Sequence, residues 1–151
     1  MKKLILAILG VVAIYFGLGQ TDALRQFTVP PTTQVPTVSV GQVDKLSAAF
    51  AEQKSGIQVT GDGMVTKLFA DDTEGSRHQR FILTLSSGQT LLVAHNIDLA
   101  PRLTSLKTGD SVAFNGVFEW NAKGGVVHWT HRDPSGRHQA GWLKHAGQTY
   151  Q

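Results

Sequence analysis

No cysteine occurs anywhere in the 151 residues, which excludes disulfides, thiol catalysis, thiolate metal sites and a lipid-modified N-terminal cysteine. The folded part must rest on an ordinary apolar core, and a metal would have to be held by His, Asp or Glu. An excess of one charge is missing too. The chain has 14 Lys and Arg against 11 Asp and Glu, and leaving out Lys2, Lys3 and Asp22 makes that 12 against 10. The pI of 9.4 therefore overstates the basic character. A broad basic footprint for nucleic acid is absent, while a small anion site remains open. Catalytic signatures are absent as well: there is no Gly-x-Ser-x-Gly elbow and no phosphate-cradling glycine loop. His128-x-Thr130 matches half of the paired motif of two-histidine phosphoesterases, and no second copy exists.

What is present first is an export signal. Lys2 and Lys3 precede the apolar run Leu4–Gly19, and Thr21-Asp22-Ala23 puts small residues where a signal peptidase reads them. The run is shorter than the roughly 18 apolar residues of a membrane span. Residues 1–23 are expected to be a signal peptide, with an uncleaved N-terminal anchor as second choice, and the mature chain is expected in the periplasm or outside after Sec-type export. Membrane contact is expected only if the segment stays attached. Residues 24–41, with Pro30, Pro31 and Pro36, suit an extended linker. Residues 42–151 suffice for a single domain with one core.

Within that domain, Val43, Leu46, Ala49 and Phe50 recur at helical spacing, predicting a helix over 43–55 with Gly56 as its C-terminal cap. The pattern then switches to period two. Strands are expected at Ile57–Phe69, bent at Gly61-Asp62-Gly63, and at Arg80–Leu85, Thr90–Ala94, Ser111–Trp120 and Gly125–Thr130. This is an all-β domain with one N-terminal helix: a five-stranded antiparallel barrel with a C-terminal hairpin extension. Its expected inward residues are Val65, Phe81, Leu83, Leu85, Leu92, Val112, Phe114 and Val127. Trp120, among apolar strand partners, is expected to fill a barrel end.

The run from Leu106 to Gly116, opening its strand with a Gly109-Asp110 turn, resembles the OB-fold. Three further blocks, Ser76–Phe81, Ala94–Arg102 and His128–His131, together resemble a family of small exported bacterial proteins known only as a domain of unknown function. The resemblance implies fold and export and says nothing of chemistry, because OB-folds host binders of nucleic acids, oligosaccharides and proteins as well as nucleases.

Four of the six histidines and two of the three tryptophans lie between His128 and His145. Histidine shuttles protons and binds metals, and tryptophan offers a stacking face. On a strand the rings of His128 and His131 point to opposite faces, so no metal is expected there, and no cofactor. Asp133-Pro134-Ser135-Gly136 fits a type I turn. Closing a hairpin, it would set His131 opposite His138, Arg132 opposite Arg137, Thr130 opposite Gln139 and Trp129 opposite Ala140. Two facing arginines need a negative partner. Either the acidic loop of Asp71, Asp72 and Glu74 supplies it, or a bound phosphate does; the loop needs no ligand and is the expected one. His78 borders the face that OB-folds use, while His95 and Asn96 are expected to cap the short turn to Pro101.

The sequence thus predicts a binding module for an unspecified ligand, with nucleic acid or a small anion as the fitting partners. Its ligand-binding candidates are His78, Arg80, Lys123, Trp129, His131, Arg132, Arg137 and His138. One alternative is a histidine- or metal-dependent phosphodiesterase or nuclease using His128, His131 and His138. Another is a structural envelope or partner-docking domain.

Overall fold

The computed structural model describes residues 40–151. The expected signal segment, and the expected linker up to residue 39, lie outside the described residues. Helix α1 spans Val40–Ala51 and lies against the first strand, burying Leu46 and Ala49 with Phe50 partly covered. It stops earlier than the spacing predicted. Lys54 N donates to Ala49 O and Gln53 N to Phe50 O, the paired bonds of a Schellman motif, and the residue in the left-handed position is Gln53, at φ 54°. The cap is therefore Gln53 rather than Gly56. Gly56 instead starts the sheet, its N–H donating to Phe118 O.

Seven strands follow: β1 (Ile57–Leu68), β2 (His78–Thr84), β3 (Thr90–Asn96), β4 (Ser111–Glu119), β5 (Val126–His128), β6 (Trp142–His145) and β7 (Gln148–Tyr150). The first five close into a barrel in the order β1-β2-β3-β5-β4, with β4 returning to β1. Among the described strands only β3 and β5 pair in parallel. The barrel is OB-like, and β6–β7 form the C-terminal hairpin, laid on β4 through Ala113↔Lys144 and Asn115↔Trp142. Among the described residues no helix is long and apolar enough to cross a membrane.

Closure depends on β1, which pairs with β4 from Ile57↔Phe118 to Met64↔Ser111 and with β2 from Met64↔Thr84 onward. The expected bend at Gly61–Gly63 is instead an unbroken ladder, and the irregularity falls at Val65/Lys67. Gly61 and Gly63 serve a different end, close packing inside the barrel. A Cβ on Gly61 would lie 2.9 Å from the Phe114 ring, and one on Gly63 2.9 Å from Thr84 O.

The core contains seven of the eight expected residues, all but Leu92. Leu91-Leu92-Val93 is uniformly apolar, so alternation cannot set its phase. The pairing Leu83↔Leu91 does, turning Leu91 and Val93 inward and leaving Leu92 half-exposed. Trp120 packs partly buried against the core.

The connection between β3 and β4 crosses the barrel with Ala100 and Leu103 buried. Buried Gln79 holds it, donating to Leu103 O (3.0 Å) and accepting from Leu103 N (2.9 Å), so that a side-chain amide stands in for a strand partner. Phe114→Ala would empty both its own volume and the space beside Gly61. It should cost about 3–5 kcal/mol, read as a lower urea midpoint at unchanged slope.

Candidate functional site

β5 ends at His128, and the next residue breaks the strand. Trp129 has φ 51°, a left-handed conformation that a bulky residue rarely takes. Simple alternation would send the rings of His128 and His131 to opposite faces. The turn at Trp129 instead brings both to one indole, whose centroid lies 6.4 Å from His128 and 5.4 Å from His131. His138 stacks on the same indole at 4.0 Å, with 20° between the planes. Trp129 is half-buried and His138 exposed.

The segment is pinned from below. Thr130 is fully buried, and its Oγ1 lies 2.8 Å from His95 Nδ1. His95 Nε2–H donates to Pro101 O at 3.1 Å, so Nδ1 is the acceptor and the Thr130 hydroxyl donates to it. Burial lowers the His95 pKa to about 4, against a pull upward from the Pro101 bond, and the nearby His131 and His78 push the same way as burial. The ring is neutral at pH 7. The Thr–His–carbonyl chain has the connectivity of an activated hydroxyl. It is closed to any substrate, since Thr130 and His95 are both fully buried. As expected, Asn96 caps the turn that follows, its Oδ1 accepting from Asp98 N at 2.9 Å.

The loop departs from the expected hairpin. The turn forms, with Gly136 N donating to Asp133 O at 3.0 Å, but no ladder leaves it. The Asp133 carboxylate accepts from Ser135 N (2.8 Å), Arg137 N (2.8 Å) and His138 N (2.9 Å), removing backbone donors that an opposing strand would have used. These contacts, the Ser135 hydroxyl and N–H foremost, hold its pKa well below the usual carboxylate range. The chain next meets itself at Gly141, whose N–H donates to His131 O at 2.9 Å. A Cβ there would lie 1.9 Å from Trp129 O. The predicted pairs Arg132–Arg137, Thr130–Gln139 and Trp129–Ala140 are therefore not formed, and His131 and His138 each lie against the Trp129 indole rather than opposite one another on paired strands.

The acidic loop is not the arginines' partner either. Asp71 binds Arg102 through two bonds of 2.9 and 3.2 Å, and Asp72 lies 3.3 Å from Arg80. Among the described residues no carboxylate forms an ion pair with Arg132 or Arg137, and both are exposed. Arg137 Nε donates to Ser135 Oγ at 3.0 Å.

The other candidates are spread out. Arg80 pairs with Ala94 on β3, and β3 runs parallel to β5, so His78 and Arg80 share the barrel end where Trp129 lies. His78 Nδ1–H donates to Ser76 O at 2.7 Å. Lys123 sits in the β4–β5 turn, at the opposite end of β5, its N–H bonded to Asn121 Oδ1. His128 Nε2 stands 3.5 Å from Glu119 Oε1. Among the described residues no three His, Asp or Glu side chains converge to hold a metal.

Sequence reasoning passed over one grouping, the pair His145 Nε2–Asp110 Oδ2 at 2.8 Å. The two residues are 35 apart and meet only because β6 lies on β4, so no local spacing could reveal them. A family model described as "Protein of unknown function (DUF3465)" matches residues 32–151. No curated protein matches the chain.

Two outcomes follow from the site. Folded His95 takes a proton near pH 4 and the unfolded ring near 6.5, so the unfolded chain binds more protons between those values. This ring's contribution is intact above about pH 6.5 and lost as the pH falls toward 4, by roughly 3 kcal/mol in all. Urea melts at pH 7 and pH 4 should show the loss, and His95→Gln should shrink it. Asp133→Ala should free the Ser135, Arg137 and His138 amides, read as faster hydrogen exchange confined to the loop, with the barrel amides unchanged.

Proposed function

The chain belongs to the DUF3465 family, and from the geometry of its C-terminal loop we propose that it is an exported binding module for an anionic, ring-bearing ligand. One observation carries this reading. An indole stacked by His138 belongs to the same loop segment as two exposed arginines, Arg132 and Arg137, that pair with no carboxylate among the described residues. Guanidinium groups bind phosphate or carboxylate through paired hydrogen bonds, and an indole face accepts a flat ring. A nucleotide unit offers both. His131 borders the same indole, while His78 and Arg80 share the rim and would extend the contact surface for a longer ligand. Lys123 lies at the other end of β5 and has no part in it.

Binding should be measured with a single-stranded oligonucleotide and with inorganic pyrophosphate. Arg132→Ala and Arg137→Ala should each weaken binding by about tenfold or more, the weight of a charge-assisted hydrogen bond. Trp129→Ala should weaken the oligonucleotide and leave pyrophosphate nearly unchanged. Equal affinity in all three variants would overturn the site. A second reading, a histidine-dependent phosphodiesterase, has in its favour that His128, His131 and His138 gather on one indole. Turnover of a phosphodiester that disappears in His131→Ala and His138→Ala would decide for it.

Export is the other half of the proposal, supported by Lys2, Lys3, the Leu4–Gly19 run and Thr21-Asp22-Ala23. Intact mass of protein from the periplasm should correspond to a chain starting near Leu24. A full-length mass in the membrane fraction would establish anchoring instead.

A further inference from the structure

A second polar grouping lies away from the Trp129 loop, where the Lys107–Asp110 turn meets the turn between β6 and β7. His145 has only 5% of its side chain exposed. Its Nε2–H donates to Asp110 Oδ2 at 2.8 Å, which in the neutral ring leaves Nδ1 as a lone-pair acceptor. That nitrogen is buried and bonded by no protein group among the described residues. Asp110 is fixed from its other side by Lys107, through the backbone N–H at 3.0 Å and Nζ at 2.6 Å. The adjoining Ala146 is held at φ 48°, unusual for a residue with a side chain.

Asp110 and His145, with Ser105, Lys107, Ser111 and Ala146, line an open cleft of about 430 Å³, within the span of small-molecule sites of about 300–1,000 Å³. Its charges cancel. Lys107 neutralises Asp110, so neither an anion nor a cation is favoured outright. What remains for a ligand is one buried acceptor, His145 Nδ1, beside the hydroxyls of Ser105 and Ser111, which both donate and accept. The matching group is a hydroxyl that gives its proton to the imidazole and accepts one from a serine. A metal fits poorly, because among the described residues His145 is the only imidazole lining the cleft.

We propose that this cleft is a second ligand site, for a small neutral polyhydroxylated molecule such as a monosaccharide or polyol, held by His145 Nδ1 and by Ser105 and Ser111. It does not depend on the loop reading.

The test is a titration of the full chain, labelled with ¹⁵N-histidine, with glucose, N-acetylglucosamine or glycerol, and with inorganic phosphate for comparison. At least one neutral compound should move the His145 Nδ1 resonance saturably, and phosphate should not. Ser105→Ala and Ser111→Ala, at exposed positions, should fold normally and together weaken the response by about fivefold or more, as expected for lost hydrogen bonds. Trp129→Ala should leave it unchanged, which separates this site from the loop. Lack of any saturable shift with the three neutral compounds would overturn the proposal. So would a response to phosphate alone, or one that survives both serine changes at full strength.

Discussion

The inward side of β1 carries Val59, Gly61, Gly63 and Val65 in succession, and the ring of Phe114 on β4 fills the space left at Gly61. This one packing arrangement lets β1 pair with β2 and β4 at once and so closes the sheet. Without it the barrel would keep two open edges. Closure also gives β4 its position, and β4 in turn carries both β5 and the β6–β7 hairpin. The loop with Trp129 and the cleft with His145 are thus placed by the same pair of strands.

Buried polar groups then do what apolar packing cannot, which is to choose a single path for the irregular segments. Gln79 fixes the β3–β4 connection at Leu103. His95 ties Pro101 to Thr130, the residue that follows Trp129. Each bond is made inside the protein, where an unpaired partner would be costly, so these contacts specify conformation more than they add net stability. Asp133 plays the same part at the surface by gathering the amides of its own loop. The left-handed Trp129 sits between the end of β5 at His128 and the buried Thr130.

Much of this was legible in the sequence, for identifiable reasons. Arg80 and Thr84 place Phe81, Leu83 and Leu85 on one face, and Val112-Ala113-Phe114-Asn115 alternates large apolar with small or polar residues, so strands and core residues are legible from period two. Gly61 and Gly63 stand out in the sequence but their purpose does not, because what they pack against, Phe114 for Gly61 and Thr84 for Gly63, lies far along the chain on other strands. The sequence carries no sign that Leu92 faces outward, because three apolar residues in a row have no phase of their own. The cap of α1 is not legible either, because Gln53 takes a left-handed conformation for which the sequence offers Gly56. The histidine-rich segment stood out by composition alone. Its geometry did not, since the hairpin expected there assumed that the backbone amides after the turn were free to pair.

Residue chemistry along the chain determined the all-β class, the helix ahead of it, the missing thiols and the segment in which histidine and tryptophan collect. Those properties are local, and periodicity and composition express them directly. Tertiary structure decided which carboxylates took which arginines, with Arg80 and Arg102 occupying the acidic loop and Arg132 and Arg137 left without it. It also brought Asp110 to His145 across 35 residues. Ion pairs and hydrogen bonds act over a few ångströms, and only the closed barrel sets which side chains come that near.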